Sequence, residues 1–61
     1  MDRKEVKKRV QQYSQKDLME WRKHILICLQ QFEADHNRFE IEECHYLLQL
    51  IDQQLKKKTE V

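Results

Sequence analysis

The 61-residue sequence contains no glycine and no proline. Those residues supply the positive φ or the preset φ that tight turns, bulges and two-residue hairpin loops most need. Their absence argues against a chain built from β-hairpins and makes an all-α fold the default. Long apolar runs are missing as well, and nothing approaches the roughly 18 residues that a membrane-spanning helix requires. The N-terminus is basic but lacks the apolar stretch of a secretory signal. Cysteine is sparse, at two residues, too few for the disulfide framework of a small secreted domain. A cytoplasmic protein with reduced thiols is the expectation. An excess of one charge is also absent: 12 basic and 11 acidic side chains leave a net charge of +1, so bulk charge selects no partner.

What is present in quantity is Gln, Glu, Lys, Leu and Arg, all good helix formers. The length allows one domain at most. A core this small rarely supplies more than about 3–5 kcal/mol without a staple, a metal or a partner chain. Residues 1–13 read as a basic N-terminal helical segment in which Val6, Val10 and Tyr13 lie at i, i+4 and i+7, the spacing of one helical face. Ser14-Gln15-Lys16-Asp17 interrupts that pattern, with Ser14 suited to cap a new helix and Asp17 to return the bond. A kink or a separate short helix is expected there, rather than one helix running straight through.

Residues 14–61 read as an antiparallel helical hairpin of two long helices, about 15–34 and 38–58. Leu18, Trp21, Ile25, Cys28 and Phe32 are spaced 3, 4, 3, 4, and so are Ile41, Cys44, Leu48, Ile51 and Leu55. Between the two seams lies the polar stretch Asp35-His36-Asn37-Arg38. Asn37 is a good N-cap, and Glu40 three residues on completes a capping-box pattern. Glu40, Glu42 and Glu43 suit the positive end of the second helix, and Lys56, Lys57 and Lys58 its negative end. The seams also match one another. In an antiparallel pair, the numbers of facing residues sum to a constant. Leu18 with Leu55, Ile25 with Leu48 and Phe32 with Ile41 share one such constant, and Trp21 with Ile51 and Cys28 with Cys44 fall one below it.

Chemistry-bearing motifs are scarce. Cys28 and Cys44 fall in one layer with His24 and His45 nearby, but the two histidines flank opposite sides of the interface and the spacing matches no zinc pattern. Small buried thiols filling a core layer are the expected reading, ahead of a metal site or a redox-sensitive disulfide. No glycine-rich phosphate loop, nucleophile motif or convergent carboxylate pair is present, and a two-helix hairpin offers no pocket of the usual ligand-site size. Neither an enzyme nor a cofactor or small-molecule substrate is expected.

Surplus apolar residues are more informative. Met19, Leu26, Ile27 and Leu29 lie outside the first seam, and Tyr46, Leu47 and Leu50 outside the second. Left in water, they make a patch of the kind that marks an interaction site. The N-terminal segment could cover part of it with Val6, Val10 and Tyr13 but is too short to cover both flanks. A homodimer forming a four-helix bundle is the simplest cure.

Charge is partitioned along the chain. Residues 1–23 carry eight basic and four acidic side chains, residues 24–52 one and six, and residues 53–61 three and one. A hairpin would then be basic at its open end and acidic at its turn. The leading functional expectation is a small regulatory protein-binding module, an inhibitor or adaptor, that presents Met19, Leu26, Tyr46 and Leu50 to a larger protein. The alternative is RNA or DNA binding through Arg3, Lys4, Lys7, Lys8, Arg9, Lys56, Lys57 and Lys58. Against it stands a solvated helix face on which Glu5 pairs with Arg9 at i+4. In length and layout the chain is similar to the Rop-type RNA-binding hairpins, and that resemblance of architecture implies pairing into a four-helix bundle. A third reading is a structural subunit that completes a larger helical bundle.

Overall fold

A computed structural model describes the backbone of residues 2–59 and the side chains of residues 2–57. The described residues are helical apart from short breaks: α1 spans Arg3–Gln12, α2 Gln15–Ala34 and α3 Arg38–Thr59. Among the described residues, no helix is long and apolar enough to cross a membrane.

Each break has a local cause. At the start of α1 the Asp2 carboxylate accepts from the Lys4 N–H at 3.0 Å, satisfying one of the donors a helix start leaves unpaired. α1 stops where Tyr13 turns extended at φ −76°, ψ 143°. Ser14 is extended too, and its hydroxyl accepts from the Asp17 N–H at 3.2 Å to start α2. Two successive extended residues therefore swing the chain between helices without glycine or proline.

The connection from α2 to α3 occupies Asp35, His36 and Asn37. The Asn37 N–H bonds the Phe32 carbonyl at 3.0 Å and the His36 N–H bonds that of Glu33 at 3.2 Å, the paired 6→1 and 5→2 bonds of a Schellman ending. That ending places its C′ residue in the left-handed region, where glycine is usual. Here the residue is His36, at φ 57°. Asn37 then starts α3, its side-chain oxygen accepting from the Glu40 N–H at 3.3 Å. Only half of the anticipated capping box can form, because the Asn37 N–H is already committed to Phe32.

α3 runs back along α2. Far from the turn, Arg22 Nε donates to Asp52 Oδ1 at 2.8 Å. The core between the helices holds Leu18, Ile25, Cys44 and Ile51, with Trp21, Leu29, Phe32, Leu48 and Leu55 packed against it. Leu18 and Ile51 are completely buried, each stabilising the fold by about 1.5–3 kcal/mol relative to exposure. Ile41, expected in the same seam, is half-buried.

α1 folds back and adds Val6 and Val10 to this core. Its course follows from its neighbours. Tyr13 stacks obliquely on Trp21 with ring centroids 5.2 Å apart, Val10 and Leu50 line one cleft, and Arg3 reaches Glu43 and Tyr46. α1 thus lies along α3, with Arg3 beside Glu43 near the start of that helix and Lys7 beside Lys57 near its end. Arg3 is drawn away from the basic open end that a hairpin with a free N-terminal segment would have.

Candidate functional site

The four apolar residues nominated for partner contact divide into two pairs. Leu50 is half-buried and lines a cleft with Val10 of α1. Tyr46, also half-buried, lies beneath the Arg3 guanidinium, whose carbon stands 4.2 Å from the ring centroid. α1 covers this flank. Met19 and Leu26 remain open, at 57% and 37% exposure. They sit seven residues apart on α2 and so share a face, one on which Arg22 also reaches across to Asp52. At about 100° per residue, Asp52 and Leu50 point about 200° apart around α3. The Met19–Leu26 flank is therefore on the side of the α2–α3 pair away from α1. Met19 forms part of an open trough of about 690 Å³ with Lys16, Glu20 and Lys23 along the start of α2. Its wall is largely apolar, because lysine stems present methylene groups while their ammonium heads stay in water. Ile27 and Phe39 are exposed as well.

The junction of α1 with α3 contains the most unusual polar contact. Glu43 is buried, and its Oε1 lies 3.5 Å from an Arg3 guanidinium nitrogen. Its Oε2 is buried without a hydrogen-bond partner. An unsatisfied buried oxygen of this kind costs about 1–3 kcal/mol, so α1 docks with a standing penalty that Val6 and Val10 offset. Nothing in local sequence patterning signals this clasp, because Arg3 and Glu43 belong to elements separated by the whole of α2.

The basic residues nominated for nucleic-acid contact also sort by surroundings. Arg3 is engaged with Glu43 and Tyr46. Arg9 shares a small concavity with Asp2, Glu5 and Val6, although no Glu5–Arg9 ion pair forms. Lys56 is exposed on the last turns of α3, and the Lys58 side chain lies outside the described residues. Lys4, Lys7 and Lys8 are exposed on α1 at i, i+3 and i+4, and Gln11 continues their face. Lys7 is brought together with Lys57 at one cleft between α1 and α3. Neither lysine enters an ion pair among the described residues. Sequence reasoning placed these lysines but missed Gln53 and Gln54, which line the same cleft.

Both cysteines are free thiols, Cys44 buried and Cys28 half-buried. Burial pushes the Cys44 thiol above its ordinary value, and the nearby Cys28, Glu40 and Glu43 push it the same way. A thiol held protonated is a poor nucleophile and a poor metal ligand. Among the described residues, no group of three or more His, Cys, Asp or Glu side chains could hold a metal ion. No protein-family model matches the chain, and neither does any curated protein or solved structure.

Proposed function

We propose that this chain is a small non-enzymatic regulatory module, an inhibitor or adaptor, that binds protein through the open flank of α2. The observation that carries this reading is the exposure of Met19 and Leu26 on one helical face, at 57% and 37%, after α1 has covered Tyr46 and Leu50. An amphipathic helix laid along the flank would bury that strip and the trough beside it, as helix-in-groove recognition does.

A second copy of the chain is the occupant we favour, because it brings an identical open Met19–Leu26 strip to the contact. Two such flanks packed across a two-fold axis place four long helices side by side. A regulated partner presenting a similar helix would compete for the same strip.

Leu26→Asp tests the reading. The exposed position tolerates the change without loss of helical content, checked by circular dichroism, while self-association and capture of a helical partner are abolished. A Leu26→Asp protein that associates as the wild type does would refute it.

A further inference from the structure

We infer that the cleft between α1 and α3 binds the phosphodiester backbone of a nucleic acid, with Lys7 and Lys57 as its charge contacts. The cleft has a volume of about 210 Å³, below the roughly 300 Å³ at which small-molecule pockets begin. A free metabolite would be poorly enclosed there, whereas one segment of a longer chain passing through would fit.

The lining suits such a segment. Lys7 and Lys57 bring two ammonium groups to one cleft, and Gln11, Gln53 and Gln54 add amides that donate and accept. Val10 and Leu50 contribute the apolar part of the lining, against which a sugar ring can rest. Lys4 and Lys8 extend the positive face along α1. The acidic residues of that helix stand apart: Asp2 and Glu5 line a different concavity, with Arg9. Among the described residues, no carboxylate lines the cleft itself.

The ammonium groups of lysine bind phosphate as point charges. Among the described residues, no aromatic ring on which a base could stack lines the cleft, so recognition should be of backbone and independent of sequence.

Fluorescence anisotropy with a labelled single-stranded RNA, its DNA counterpart and a duplex tests this in the full chain. Four phosphate contacts, by Lys4, Lys7, Lys8 and Lys57, give a log–log salt slope of about −2.8 on single strands, or about a 50-fold loss of affinity between about 50 and 200 mM salt. Lys7→Gln/Lys57→Gln should roughly halve that slope, and Lys7→Glu/Lys57→Glu should weaken binding at least tenfold. Arg38→Glu makes the same change in net charge as Lys7→Gln/Lys57→Gln, away from the cleft, and should leave affinity within about twofold. A preference among the three probes would assign the source of the backbone and support the site. Three results would overturn it: no binding to any probe at low salt, equal losses from Arg38→Glu and from Lys7→Gln/Lys57→Gln, or a poly-glutamate competitor as effective as RNA at equal charge.

Discussion

Replacing His36 by glycine should make this protein more stable, and the effect can be worked from the turn. His36 holds φ 57°, where an L-residue with a Cβ pays about 1–2 kcal/mol. Glycine removes that cost. It also adds freedom to the unfolded chain, which offsets about 0.5–1 kcal/mol of the gain. No hydrogen bond is lost, because His36 contributes only backbone groups to the turn: its N–H bonds Glu33 and its carbonyl accepts from the Arg38 N–H at 3.1 Å. The net gain is therefore about 0.5–1 kcal/mol, and about 4–8 °C in melting temperature follows from each kcal/mol in a domain this small. His36→Val should move the other way by more than about 1 kcal/mol, since a β-branched side chain fits the left-handed region worst. Thermal melts followed by circular dichroism read both. A His36→Gly protein that melts below the wild type, or a His36→Val protein that matches it, would refute the reasoning.

Three further predictions concern the core and the α1 clasp. Ile51→Ala empties a fully buried position and should cost about 2–5 kcal/mol, comparable to the whole stability of a core this size, so denaturant titration should find the variant largely unfolded. Arg3→Ala leaves the Glu43 carboxylate buried without its counter-ion and should cost about 1–3 kcal/mol, whereas Arg3→Ala/Glu43→Leu should recover most of that loss in the same titration. Cys44 should react with a thiol reagent far more slowly than Cys28 near neutral pH. Because the folded thiol of Cys44 is raised above its ordinary 9.0, the stability it contributes is complete below about pH 9 and lost as pH climbs through the folded value. Cys44→Ala should show a shallower alkaline fall in melting temperature.

Much of the fold can be read from the residues because its signals are local or periodic. The apolar spacing of Leu18, Trp21, Ile25, Cys28 and Phe32 marks the inner face of α2, and nearly all of that set lies in or against the core. Ser14 and Asn37 announce the helix starts by side-chain chemistry that needs only three residues of context. His36 is different. A left-handed C′ residue is signalled by glycine, and this chain has none, so the Schellman ending becomes visible only in the backbone bonds from Asn37 and His36.

The candidate surfaces were legible only as inventories. The sequence identifies Met19, Leu26, Tyr46 and Leu50 as surplus to the seam, but the path of α1 decides which of them stay open. That path depends on Val6, Val10, Tyr13 and Arg3 meeting residues some 8 to more than 40 positions away. The same long-range packing separates Lys7 from Arg9 and joins it to Lys57. Residue type alone could not make that distinction.

The open flank of α2 is the central claim, and analytical ultracentrifugation of the wild type and Leu26→Asp across the micromolar range addresses it most directly. The wild type should sediment at twice the chain mass, and Leu26→Asp at the mass of one chain with its helical content unchanged. A wild-type chain that remains a stable monomer throughout that range, or a variant that dimerises equally well, would contradict the account.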